Sequence, residues 1–492
     1  MILFDVDRHL DIPLYRQIIQ KIIRAVENKT LKPGDTLPAT RVLAEKLGVN
    51  RSTVYRAYEE LFSLGYIESS QGSYTRIRHR IQPVTLDLRR ESRIDWSGRS
   101  TAFARILAEK SSVYHPEYET PVLSHPVINF SQLDLDTRLF PVTDFQRCLN
   151  QIFQIQGPAV LAYGDPLGNQ TLRNTLSQRL RMHGIAASGD EILITSGAQQ
   201  AIDLIVRSFI NPGDTVMVEM PTYANILPLL TACECRLLGI PMLPDGMDLD
   251  YLERILEKET PGLIYTIPNF QNPTGITTSQ EHRECLLDLC DRKQVLIVED
   301  GFEEEMKYFG KVVLPIKSMD HHNTVIYLGT FSKVLFPGIR IGWIAADINC
   351  VKRLASVKRF TDISSSHPIQ AALDQFIRMG YYDANLKRLH RIFRRRMQCL
   401  LDAMKNYLPD TISWTRPAGG YTIWARLPFD VEEAVLKERL MKHNVMVSHG
   451  SYYFLHGKHS DWIRLSIANV DEREINEGIQ RLGEGLTDLA RR

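Results

Sequence analysis

At 492 residues the chain exceeds what one hydrophobic core supports, and roughly 100–200 residues per domain predicts two to four units. Hydrophobic content of 44% with 24% charged residues excludes a disordered chain, and no apolar run reaches the roughly 18 residues that span a bilayer. The net charge of +1 conceals an asymmetry: residues 1–80 hold thirteen Lys/Arg against nine Asp/Glu, a balance of +4, which leaves −3 for the rest. A basic segment of this kind suits a polyanionic partner. The N-terminal MILFDVDRHL has no charged-then-apolar pattern, so a cytoplasmic chain is expected. Seven scattered cysteines without paired CxxC spacing suggest neither a disulfide framework nor a metal site.

Leu14, Ile18, Ile22 and Val26 recur every fourth residue behind Pro13 and predict an amphipathic helix. After the LKPGDTLP turn at 31–38, Thr40 can cap a short helix that runs to Leu47 and stops at Gly48. Asn50 or Ser52 can cap a third helix, on which Val54, Ala57, Leu61 and Leu64 share one face. YIESSQGSYTRI then reads as two short strands around Gln71-Gly72. Helix, tight turn, helix and hairpin place Arg51, Ser52, Thr53, Tyr55 and Arg56 at the start of a recognition helix, where side chains reach base edges and phosphates. Arg41 can reach the DNA backbone or a guanine edge, and the hairpin tip at Gln71 and Gly72 the minor groove. Residues 79–125, with Pro83, Pro116, Pro121 and weak periodicity, read as a linker with a little helix near 100–110.

From about 126 onward, apolar runs alternate with helical stretches: EILIT (191–195), TVMVE (215–219), GLIYT (262–266), VLIVED (295–300), TVIYLG (324–329) and IGWIAA (341–346). The alternation predicts an α/β domain with a mostly parallel, doubly wound sheet, whose ligands bind beyond the carboxyl ends of the strands. Those ends are rich in chemistry. Ser196-Gly197-Ala198-Gln199 opens a helix whose amides suit a phosphate. Tyr223 offers a face for a heterocycle, and Asn272 a donor to a ring oxygen. Asp300, at a buried strand end, needs a cation such as a protonated pyridine nitrogen. Thr330, Ser332 and Arg340 surround Lys333, a phosphate clamp beside an amine nucleophile.

The string LPATRVLAEKLGVNRSTVYRAYEELFSLGYIESSQGSYTRI resembles the winged helix-turn-helix of the GntR family of bacterial regulators. That resemblance implies double-stranded operator DNA as partner, contacted at Arg41, Arg51, Thr53 and the Gln71-Gly72 wing, with Tyr55 bearing on sequence preference. SGAQQ, PTY, NPTG, the VED strand end and TFSKVLFPGIRIGW occur in the order and spacing of the fold-type I aminotransferases over about residues 126–485, extended by YGDPLG and WIRLSIAN. This implies pyridoxal 5'-phosphate as cofactor and a smaller C-terminal α+β subdomain. Lys333 would form the internal aldimine, Asp300 pair the ring nitrogen, Tyr223 stack on the ring and Asn272 meet its oxygen. Ser196, Gly197, Ala198, Gln199, Thr330, Ser332 and Arg340 would hold the phosphate, joined by Tyr163 reaching a neighbouring subunit. Arg464 would bind the carboxylate of an amino-acid ligand.

A GntR-like head (1–78), a linker (79–125) and an aminotransferase-like domain (126–492) together resemble the MocR subfamily. Its members are regulators that sense pyridoxal phosphate, an amino acid or an amine, and assemble as head-to-tail homodimers. Two departures bear on activity. Phe302 stands where a tyrosine usually donates to the ring oxygen, which weakens catalytic tuning and favours a regulator over an efficient transaminase. Asn225 stands where GABA-sensing members carry arginine, which speaks against a GABA effector, and Leu133 stands near a usual glycine and narrows the expected pocket. The alternative is a working aminotransferase that carries a DNA-binding head.

Overall fold

The structure, a computed structural model, describes residues 4–8, 10, 12–69, 74–79, 94–114, 126–311, 313–455, 457 and 459–490. It divides into two compact units, Met1–Trp96 and Ser97–Arg492.

In the first unit α1 (Leu14–Glu27), α2 (Thr40–Leu47) and α3 (Arg51–Ser63) pack around Ile18, Ile22, Leu43, Val54, Ala57 and Leu61. Gly48 ends α2 in the left-handed region, with φ 61°, where a Cβ is disfavoured. The expected caps resolve unequally. Asn50 caps α3, its side chain accepting from the Ser52 amide at 3.0 Å. Thr40 is instead the first residue of α2, and the cap position, Ala39, has no side-chain oxygen to offer. Leu64 follows the last turn of α3 and is 56% exposed, so the apolar face closes at Leu61. The strands β1 (Ile67–Glu68) and β2 (Arg76–Ile77) pair antiparallel with Ile67 opposite Ile77, the two inward residues. The expected tip residues Gln71 and Gly72 lie outside the described residues.

The second unit begins, within the expected linker, with α4 (Ala102–Tyr114). This helix lies against α6 (Ile226–Ala232), and Phe103 joins the apolar cluster beneath it. Then come β3 (Ile128–Asn129), β4 (Ile192–Thr195), α5 (Ala198–Phe209), β5 (Thr215–Met220), β6 (Arg236–Leu243), β7 (Gly246–Met247), β8 (Leu263–Thr266), β9 (Leu296–Asp300), β10 (Val325–Thr330) and β11 (Gly342–Ala345). Strands β4 to β11 form one sheet in the order β4-β11-β10-β9-β8-β5-β6-β7. Strands β6, β5, β8, β9 and β10 run parallel, and β11 is antiparallel to both neighbours, so β4 points the same way as the parallel set. Apart from β6, nearly all of their residues are buried on both faces, as near-continuous Val/Ile/Leu runs require. β6 was not among the expected strands: its alternating half-buried RLLGIPML lacks the continuous apolar signature.

A smaller antiparallel sheet, β12 (Ser413–Trp414), β13 (Thr422–Arg426), β15 (Ser448–His449) and β16 (Trp462–Ser466), packs with the long helix α7 (Tyr381–Tyr407). Between them come α8 (Glu433–Lys442) and β14 (Val445–Met446), which pairs with β3 and so ties the start of the unit to its C-terminal part. Among the described residues no helix is long and apolar enough to cross a membrane.

Candidate functional site

The carboxyl ends of β4, β5, β8, β9 and β10 fall on one edge of the sheet, and the loops that follow them meet β16 and α8 around a cavity of about 320 Å³. Lys333, Asp300, Asn272, Tyr223, Ala198, Gln199, Thr330, Ser332, Arg340 and Arg464 all line it. Residues spread over 267 sequence positions thus converge because doubly wound topology returns each strand to the same edge.

Gly197 opens α5 with φ 89°, and a Cβ there would stand 2.7 Å from Nη2 of Arg340. The guanidinium folds over this glycine and donates to the Ser196 carbonyl. Gly342 opposes both Thr195 and Thr330 in the ladder, and its absent side chain lets β11 approach Gly197. The Ser196 amide is occupied by Gln200, whose own amide donates to Asp362 at 3.0 Å; this fixes the turn from behind. What remains for an anion is the first turn of α5, whose amides have no intrahelical acceptor, with Arg340 and the paired hydroxyls of Thr330 and Ser332, 3.1 Å apart.

Asp300, which also lines the cavity, is 3% exposed at the last position of β9. Tyr265 donates to its Oδ2 at 2.6 Å, whereas Oδ1, equally buried, has no hydrogen-bond partner among the described residues. Burial pushes this carboxyl up to about 6 against the pull of the Tyr265 hydroxyl. A buried oxygen left open toward a cavity fits a cationic N–H, the donor a protonated pyridine ring supplies. Tyr265 was not singled out in the sequence, since a tyrosine within an apolar strand reads as core.

Lys333 donates to the Leu133 carbonyl at 3.0 Å and lies 3.9 Å from Asp134. Leu133, expected to narrow the pocket, does line it, and also contributes its backbone. The Tyr223 hydroxyl donates to Gln199 at 3.3 Å and accepts from Asn225 at 3.1 Å, which fixes the tip of the ring. Asn272 accepts from Arg464 at 3.3 Å. Its loop is anchored by buried Glu219, which accepts from the Gln271 side chain at 3.1 Å and the Ile267 amide at 3.1 Å. Arg464, on β16, also donates to the Ser131 carbonyl and lies over Tyr453, while its Nε has no partner among the described residues. Phe302 lines the cavity and presents no hydroxyl. Tyr163 stands apart from the others: it is 85% exposed and outside the cavity of the single chain. The wall formed by Leu436, Leu440, Val445 and Met446 was not anticipated, because these residues carry only the signal of an apolar core.

In the first unit Arg41, Arg51, Ser52 and Tyr55 are exposed and Thr53 is half-buried. Arg56 turns away to lie 4.0 Å over the ring of Tyr15, so it braces α1 against α3. Tyr58 fixes the same helix by donating to the Pro38 carbonyl at 2.8 Å.

Residues 126–482 match the aminotransferase class I and II family, and residues 14–77 the bacterial regulatory proteins of the gntR family. The HTH-type transcriptional regulator YisV of Bacillus subtilis is 31% identical over 97% of this chain and 96% of its own length. The probable rhizopine catabolism regulatory protein MocR of Rhizobium meliloti is 28% identical over 98% and 96%. Among solved structures, a multiple substrate aminotransferase from Thermococcus profundus superposes with a TM-score of 0.76 at 31% identity, covering 81% of this chain and all of the other.

Proposed function

Because this chain belongs to the aminotransferase class I and II family and carries a gntR-type DNA-binding head, as MocR-like regulators do, we propose that it is a regulator governed by what happens at Lys333. Pyridoxal 5'-phosphate is the cofactor of such domains. Bound here, it supplies an electrophilic carbonyl for amines and an electron-withdrawing ring. Lys333 would anchor it, Asp300 Oδ1 would accept from the ring nitrogen, Tyr223 would stack on the ring, and Asn272 would meet the ring oxygen. The turn from Ser196 to Gln199 that opens α5, with Thr330, Ser332 and Arg340, would grip the phosphate.

Arg464 recognises the carboxylate of an amino-acid effector, its Nε being the donor still available. An amine that reaches the cavity competes with Lys333, and the differential binding of the two states shifts the conformation of the whole chain. Tyr163, exposed in one chain, completes the phosphate grip of a second copy in a head-to-tail dimer that works on operator DNA in the cytoplasm. The observation that carries this reading is the convergence of Lys333, the open Oδ1 of Asp300 and Arg340 in one cavity of a chain that also presents Arg41 and Arg51.

The test couples two measurements on the full chain. Absorbance of the bound cofactor is titrated with a panel of amino acids and amines, and binding to its own upstream DNA is followed by mobility shift with each. One compound altering both readouts is the expected result. No preference for any upstream fragment, with or without cofactor, sinks the reading. Multiple turnover near the enzyme median of about 10 s⁻¹ would favour a working aminotransferase instead.

A further inference from the structure

The helix Ile348–Asp362 lies against α5, and its buried face runs Val351, Leu354 and Lys358, so a lysine stands where helical spacing calls for another apolar residue. A fully buried ammonium is costly unless it is paired. Its partner is Asp362, one turn on, whose Oδ1 accepts from Lys358 Nζ at 2.9 Å. The other carboxylate oxygen, Oδ2, accepts from the Gln200 side-chain amide at 3.0 Å. That contact decides which way the Gln200 amide points. With its Nε2 on Asp362, its Oε1 is left to accept from the Ser196 amide at 2.7 Å. Three hydrogen bonds thus connect a buried lysine to the backbone of the turn whose carbonyl Arg340 holds.

The backbone beside Asp362 is strained. Ile363 has φ 63° and ψ −62°, and the Ser364 amide donates to the Asp362 carbonyl at 2.6 Å. These are the angles and the bond of the rarer, strained γ-turn, here with a β-branched residue at its centre. Such a conformation persists only where surrounding contacts over-determine it. Lys358 and Gln200 hold it on one side, and on the other Gln370 donates to the Ser365 carbonyl at 3.0 Å. A helix that merely ended here would take glycine or asparagine at that position. Charge enters as well as geometry. An unpaired carboxylate behind an anion-binding turn would oppose the anion, and Lys358 balances Asp362 without lining the cavity itself.

We propose that Lys358 and Asp362, acting through Gln200, are positioning residues for the phosphate group of the cofactor. They hold the Ser196 turn in its anion-binding shape and keep the charge behind it balanced. The inference rests on the reading of that turn as the phosphate site, and the experiment separates the two claims. On the full chain, absorbance titrations compare pyridoxal 5'-phosphate with pyridoxal, which shares the ring and the carbonyl and lacks the phosphate. Inorganic phosphate, competing with the first, supplies a third dissociation constant.

Gln200→Leu takes the acceptor from the Ser196 amide and should weaken pyridoxal 5'-phosphate and inorganic phosphate by at least about fivefold, with pyridoxal unchanged within about twofold. Lys358→Met leaves Asp362 unbalanced and should weaken the same two ligands by at least about tenfold. Should that variant not fold, Lys358→Met combined with Asp362→Leu removes both charges together, a change that buried ion pairs often tolerate. It should still weaken phosphate binding by about fivefold, because Gln200 loses its anchor. Asp362→Asn in place of the leucine returns an oxygen to Gln200 and should recover most of that loss. Equal losses for both aldehydes, or no loss, overturn the proposal. Arg340→Ala tests the site itself. If it fails to separate the two aldehydes, the phosphate reading of the turn falls and this proposal falls with it; if it separates them and the Gln200 and Lys358 variants do not, this proposal alone is overturned.

Discussion

The DNA-binding head and the cofactor cavity place their working residues in opposite ways. In the head, Arg41, Arg51, Ser52 and Tyr55 are exposed and fall within fifteen positions, so each acts nearly independently in a high-dielectric setting. In the cavity, Asp300 and Arg464 are almost fully buried and come from strands of two different sheets, and each is tied to a neighbour by a hydrogen bond, Asp300 to Tyr265 and Arg464 to Asn272. Substitutions in the head should therefore be graded and additive, whereas those in the cavity should be large and coupled.

The largest expected effect is at Lys333. Lys333→Ala should abolish the cofactor's covalent absorbance band outright while leaving DNA affinity without effector within about threefold, because nothing in the head is touched. Absorbance and mobility shift on the same sample check it. Loss of DNA binding together with the band would break the separation between the two regions.

Asp300 gives a pH-dependent effect of intermediate size. Its folded-state value, about 6, lies above the ordinary 3.8, so the folded chain holds the proton more tightly than the unfolded one. Stability of the cofactor-free protein should then fall as pH rises from about 4 to about 6, by about 3 kcal/mol from this residue. Buried Glu219 and Glu299, both pushed up to about 7, add to the same slope. Asp300→Asn should flatten part of the slope and raise cofactor-free stability near pH 7 while weakening cofactor binding by at least about tenfold, as loss of one charged hydrogen bond implies. Urea unfolding at several pH values, paired with cofactor titration, decides. A slope unchanged in the variant would show that Asp300 is not the residue responsible.

Arg51→Ala should weaken specific DNA binding by roughly 1–3 kcal/mol if the guanidinium reads a base. Equal weakening for every operator sequence would reassign it to phosphate contact. The cofactor band should not move in either case.

How far the sequence revealed each region follows from the same contrast. The head's motif is contiguous, and local chemistry determines it: Gly48 stops α2 and Asn50 starts α3 as anticipated. Ala39 before Thr40 shows the limit, since a cap depends on where the chain turns and not only on which residues can cap. In the sheet, continuous apolar runs disclosed most of the strands, but β6, half-exposed along its length, did not declare itself. At the cavity, polar residues at strand ends were visible because polarity there is expensive. Tyr265 and the Leu133 carbonyl were not, because one looks like core and the other is backbone.

The smallest effect tests whether the head responds to its own framework alone. The Asn50 side chain satisfies the Ser52 amide at the start of α3, the end that presents Arg51 and Ser52 to DNA. Asn50→Ala removes that acceptor and should cost the helix about 1 kcal/mol. The fraying falls on the residues that would touch bases, so specific affinity should drop by up to about fivefold, corresponding to that free energy. Asn50→Ser, which restores a capping oxygen, should recover most of it. Thermal unfolding of the head, followed with operator binding and the cofactor band, reads all three consequences. A shift of the band in Asn50→Ala would mean that the recognition helix and the cavity are coupled even without an effector. The contrast between an additive head and a cooperative cavity would then have to be given up at that end.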